Sequence, residues 1–167
     1  MCPRMLAVPH LRQLRAWSCG PACVNMLLRY YGVTESEAYL VDALQANERD
    51  GTAPEAIRRF LVGRGFRTSR RGTLVDLANA IKRGRPVIVD YQDHGPRGIN
   101  YADAWDHGHY AVCVGVSETH VMLCDPSSKR PRRQLETADF LARWHDIGFG
   151  LKPKFYVQWG LSVGPKK

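Results

Sequence analysis

The feature that most limits what this chain can become is the order of its periodicities, helical spacing in the first half and period-two apolar runs in the second. Pro21 suits a first helical turn, and Cys23, Met26, Leu27 and Tyr30 then recur at helical spacing until Gly32. Ser18 stands where an N-cap belongs, which puts Cys19 at a helix start. Further helices are expected over residues 34–46, 54–62, 73–83 and 137–144. Strands are expected over 86–91, 109–116 and 120–124, with a closing strand over 154–163; Ser117, Glu118 and Thr119 join the middle two at hairpin spacing. Residues 93–106, rich in Gly, Pro, Asn and Asp, read as an irregular loop of functional length. Segregated elements of this kind predict an α+β domain, with an N-terminal helical part packed on a C-terminal antiparallel sheet.

The 167 residues fit one domain, 1–167, with no repeat, low-complexity tract or linker, and only the two ends look frayed. No stretch reaches the ~20 apolar residues of a membrane span. Pro3, Arg4, Pro9, His10 and Arg12 interrupt any signal-peptide core. Five cysteines (Cys2, Cys19, Cys23, Cys113, Cys124) form an odd, sparse set, which favours a reducing, cytoplasmic setting over a stapled secreted scaffold. The net charge of +8 gathers in residues 64–71, 82–85 and 129–133 and at Lys166 and Lys167. Nucleic acid is an alternative partner on that ground. These clusters fall in expected turns and helix ends without a nucleic-acid-binding motif, so a solvated surface is the favoured reading.

A cysteine nucleophile needs a lowered thiol pKa, which a helix N-terminus and a neighbouring imidazolium both supply. Acyl transfer further requires a base that returns a proton to the leaving amine, a group orienting that base, and donors for the oxyanion. The run from Gln13 through Cys19 to Met26, then His109-Tyr-Ala-Val, then Asp125-Pro126, resembles the C39 cysteine peptidases, papain-like enzymes that remove leader peptides after a Gly-Gly pair. The resemblance implies a papain-like fold, with Cys19 as nucleophile, His109 as general base and acid, and Asp125 as the group orienting the imidazole. Gln13 and the Cys19 backbone N–H are implied as oxyanion donors. It covers residues 11 to 156, and its specific part is three short blocks in the right order. It is to a free-standing relative, because exporter segments are absent from this sequence.

The expected activity is hydrolysis of a peptide bond, after small residues such as Gly-Gly, through a Cys19 thioester; a peptide or protein is the partner, and no cofactor or metal is called for. His107, two residues before His109, competes for the role of base but belongs to the preceding loop. Trp17 and Trp105 are candidates for cleft walls or, more commonly, packed aromatics. Cys23 is expected to be a small apolar helix residue. Alternatives are a papain-fold acyl or peptidyl transferase, a zinc site of Cys19, Cys23, His107 and His109, and a non-catalytic module binding peptide or nucleic acid. Oligomeric state is not encoded legibly.

Overall fold

A computed structural model describes residues 5–148 and 152–166 of the protein; Cys2, Pro3, Arg4 and Lys167 lie outside them. Helix α1 spans Cys19–Tyr30 and is buried from Gly20 to Leu28, so it runs through the interior rather than along the surface. Ser18 precedes it but does not cap it with its side chain. Its hydroxyl instead pairs with Glu37 and accepts the N–H of Arg15, because a carboxylate is the stronger partner. The expected second helix is shorter, α2 over Glu37–Ala43, because Ser36 accepts the N–H of Tyr39 and fixes the start there. Helix α3 covers Pro54–Gly63, and α4 covers Leu74–Lys82 with Thr73 accepting from the N–H of Asp76.

Six antiparallel strands form the main sheet. They are β1 (Phe66–Arg71), β2 (Val87–Gln92), β3 (Gly108–Val116), β4 (His120–Cys124), β5 (Arg133–Glu136) and β8 (Gly160–Lys166), in the order β1-β8-β2-β3-β4-β5. Helix α5 (Thr137–Arg143) and a two-stranded ribbon of β6 (His145–Gly148) and β7 (Lys154–Val157) lie between β5 and β8 in sequence. Three expectations change. The basic run 64–71 contains an edge strand, β1, of which Arg70 bonds the carbonyls of Val157 and Gln158 and Arg71 bonds Ser162 Oγ of β8. The closing strand splits into β7 and β8 where Gln158 adopts φ 49°. Within the described residues the segments next to the ends are held in place: Leu6 and Val8 are buried, the N–H of Leu6 bonds Val114 O at 2.8 Å, and β8 sits inside the sheet between β1 and β2.

Apolar residues fill both faces of the sheet. On one, Tyr110, Val112 and Val114 of β3 meet Met26 and Leu27 of α1; on the other, Ala111 and Cys113 meet Leu77 of α4 and Phe140 of α5. A buried side chain of this kind contributes about 1.5–3 kcal/mol. The two layers therefore clamp β3 from both sides, and β3 carries His109. No helix among the described residues is long and apolar enough to cross a membrane.

Candidate active site

The N-terminus of α1 and the first residues of β3 meet at one end of the sheet. Cys19 opens α1 with no side-chain cap above it, so the positive end of the helix faces its half-buried thiol. His109, the second residue of β3, is 5% exposed. Its Nε2–H donates to Asp125 Oδ1 at 2.8 Å, and the ring is hydrogen-bonded to Cys19 as well. Since Nε2 is engaged by the carboxylate, Nδ1 is the atom left for sulfur. Asp125, fully buried just after β4, faces His109 because β3 and β4 pair antiparallel. The three groups that the sequence singled out thus converge from three elements.

The electrostatics agree with a thiolate–imidazolium pair. Burial by itself raises the Cys19 pKa, but the hydrogen bond and charge of His109, with the backbone N–H groups of Tyr110 and Gly20, bring it below the ordinary thiol value. Burial by itself lowers that of His109; hydrogen bonds to Asp125 and Cys19 and their negative charges overrule it and push it up to about 10. Burial likewise disfavours the Asp125 carboxylate, yet the hydrogen bonds from His109 and His94 hold it well below the usual carboxylate range. Cys23, buried one turn along α1, is raised by burial and by the charge of Cys19, consistent with an inert thiol.

Asp125 accepts more than the triad requires. His94 Nε2–H reaches Oδ2 at 2.9 Å, Arg133 Nη1 reaches the same oxygen at 3.0 Å, and the N–H of Ser127 bonds Oδ1 at 2.9 Å. Its backbone carbonyl accepts from His10 Nε2 at 2.9 Å. Arg133 also bonds Asp93, which takes Tyr91 OH at 2.9 Å and Arg143 Nη1 at 3.3 Å, so the carboxylate is anchored to a buried ion network. His94, Asp93 and Arg133 were not singled out in the sequence; only the placement of His94 in the long loop before His109 hinted at a role.

His107 does not reach the thiol: its ring lies 3.4 Å from Asp106, and its N–H donates to Gln92 Oε1 at 2.8 Å. Among the described residues the ligand-type cluster is His94, His109 and Asp125 rather than the Cys19, Cys23, His107 and His109 set. Arg133 at hydrogen-bonding distance from Asp125 opposes a cation there. Trp17 is half-buried with Arg15 over its ring, and Trp105 is half-buried against His145 and Phe155; neither lines the cleft beside Cys19. Gln13 sits on the loop before α1, tied to the Asp125 loop by Gln13 N–H to Pro126 O at 3.0 Å and by Ser127 Oγ–H to its Oε1 at 2.8 Å. Its Nε2 donates to Arg15 O and Ala16 O at 2.8 and 2.9 Å, which uses both amide hydrogens.

A helix-borne thiol, a strand-borne imidazole and a carboxylate at the end of the next strand, on helices packed against an antiparallel sheet, define the papain-like architecture of C39 peptidase domains. The profile of the Peptidase_C39 like family matches residues 5–151, and the chain belongs to that family. It is 30% identical over 118 residues, 71% of each chain, to an uncharacterized protein of Methanothermobacter thermautotrophicus. Among solved structures it is similar to the peptidase domain of Streptococcus ComA, a bi-functional ABC transporter involved in a quorum-sensing pathway. There the TM-score is 0.70 at 21% identity, covering 95% of this chain and 99% of that one. It is also similar to a double glycine motif protease from an AMS/PCAT transporter in complex with the leader peptide, with a TM-score of 0.69 at 16% identity over 98% of each chain.

Proposed function

We propose that the protein is a cysteine peptidase that hydrolyses a peptide bond through a Cys19 thioester. One observation carries the reading: a buried imidazole held between a carboxylate on Nε2 and the helix-borne thiol. The Cys19 thiolate attacks the carbonyl carbon of the scissile bond. His109, already protonated, gives its proton to the leaving amine as the C–N bond breaks, which leaves an acyl thioester on sulfur. Water then attacks the thioester, the imidazole takes its proton, and the thiolate departs from the acid product. Asp125 fixes the ring plane and stabilises the imidazolium throughout.

The oxyanion that forms at each attack needs donors within about 3 Å. The Cys19 backbone N–H is one. Gln13 supplies the second when its planar amide reorients as a unit, exchanging an Nε2–H bond to the Arg15 or Ala16 carbonyl for the substrate oxyanion. That exchange trades a carbonyl for an oxyanion, a stronger acceptor. The small-residue specificity of double-glycine peptidases is carried to this chain only as the starting substrate class.

The test is to incubate the protein with short peptides, including Gly-Gly-containing ones, and to follow products by mass spectrometry beside alkylation of thiols by iodoacetamide. Wild type should release two peptides and alkylate fastest at Cys19 at neutral pH; Cys19→Ala should do neither while keeping its melting temperature. Alkylation of Cys19 no faster than that of a free thiol, or equal turnover in the variant, refutes the reading.

A further inference from the structure

Beside the thiol lies a cleft of about 250 Å³ whose wall includes Thr52, Asp90, Gly108, Tyr110, Asp146 and Tyr156. The peptidase chemistry uses none of these side chains. Asp90 of β2 stands opposite Tyr110 of β3 and is only 2% exposed; Asp146 of β6 is half-buried and accepts Gln92 Nε2–H at 2.7 Å. Burial, reinforced at Asp90 by the negative charge of Asp146, raises the pKa values of both carboxyls.

The wall holds two orphans. Asp90 Oδ1 and Thr52 Oγ1 are buried without any hydrogen-bond partner, although Thr52 is only 6% exposed. Native interiors tolerate few such atoms, and two lining one cleft beside the thiol mark it as a place where a polar group can be taken up. The sequence also makes room for the pair: a Cβ at Gly108, next to His109, would overlap the Asp146 carboxylate, and one at Gly20, next to Cys19, would fall 2.6 Å from Thr52 Oγ1. Two glycines flanking the proposed nucleophile and base thus admit polar groups that no other residue would.

We propose that Asp90 and Asp146 form the floor of a specificity subsite that takes a cationic side chain, lysine or arginine, from a peptide substrate beside its scissile bond. The assignment rests on Cys19 being the nucleophile. An entering ammonium or guanidinium donates to both carboxylates and supplies the hydrogen missing at Asp90 Oδ1. An apolar side chain would leave the orphans unpaired. The lining residues Asp50, Lys152 and Lys154 are exposed, with the Lys154 ammonium 5.2 Å from the Tyr156 ring centre, so the outer part of the cleft carries both signs while its buried part carries only the acids Asp90 and Asp146.

The test uses eight-residue peptides in which one lysine, or one norleucine as its uncharged counterpart, is moved through every position of a Gly/Ala background. Cleavage is measured as kcat/KM with the wild-type protein, and binding by calorimetry with Cys19→Ala. At one position lysine should exceed norleucine by tenfold or more, the size expected of a charge-assisted hydrogen bond. In Asp146→Asn and Asp90→Asn that ratio should fall to about one. A ratio under about two at every position, or one that survives in both variants, overturns the subsite. Cleavage without lysine preference sinks the subsite and leaves the peptidase; lysine-selective binding without cleavage does the reverse. Peptides neither cut nor bound overturn both.

Discussion

Replacing Asp125 by Asn tests the assembly of the site most directly, since the amide keeps the shape and removes the charge. His109 owes its pKa of about 10 to hydrogen bonds and charge from two groups, Asp125 and Cys19. An opposite charge within hydrogen-bonding distance shifts a titration by about 1–3 units, or about 1.4–4 kcal/mol. The imidazole of Asp125→Asn should therefore titrate between about 7 and 9. At pH 9 the wild-type ring would stay about nine-tenths protonated, whereas a variant ring titrating at about 8 would be only about one-tenth so. The measurement is the carbon-13 shift of the His109 ring in protein labelled at histidine, assigned by its loss in His109→Ala. Carbamidomethylating Cys19 in the wild type should also lower the midpoint, by removing the other charge. A His109 midpoint unmoved by Asp125→Asn, or a wild-type midpoint near the ordinary imidazole value, would refute the thiolate–imidazolium–carboxylate arrangement.

The ion network behind Asp125 should matter for stability. Asp93→Asn removes one charge from a buried cluster with Arg133 and Arg143, and urea unfolding should show a loss of about 3 kcal/mol; a loss below about 1 kcal/mol would mean that the network is dispensable. Trp144→Ala empties a fully buried site and breaks the indole N–H bond to Trp159 O, so it should cost about 3–5 kcal/mol by the same assay. The carboxyls of Asp125 and Asp93 titrate below their ordinary values, against the pull of burial, because hydrogen bonds from His109 and from Arg133 hold them ionised. Their stabilisation is complete above the unfolded carboxyl value of about 3.9 and is lost as pH falls through the folded ones. The melting temperature should consequently drop steeply below about pH 4, and Asp125→Asn should flatten that limb.

Much of this was legible in the residues. The α1 start, the β3–β4 hairpin and α4 each rest on local signals: a Pro in the first turn, a three-residue connection, and apolar residues at helical spacing closed by Gly84. Cys19, His109 and Asp125 are picked out by the resemblance of three short blocks to the C39 peptidases, and each also lies at an element boundary that local signals mark. The strands β1, β5 and β6 were not legible, since they are short and polar, and β1 owes its conformation to β8, a partner distant in sequence. His94, Asp93, Asp90 and Asp146 were hidden for a related reason. Nothing near them in the chain distinguishes an acid facing solvent from one facing another acid, and only the pairing of β2 with β3 and the docking of β6 decide it. Ser18 shows the converse error, a residue with the right type for a cap whose hydroxyl a distant Glu37 claims.

The interior place of β8 has a consequence for how the molecule comes into being. Two ribbons finished early in synthesis, β1 and β2, have no common neighbour until residues 160–166 leave the ribosome and slide between them. Closure of the sheet is thus a late, long-range event, of the kind that slows folding and leaves edges bare in the interval. A nascent chain interrupted before Gly160 would carry Cys19 and His109 alike, yet lack the strand that completes the sheet they share.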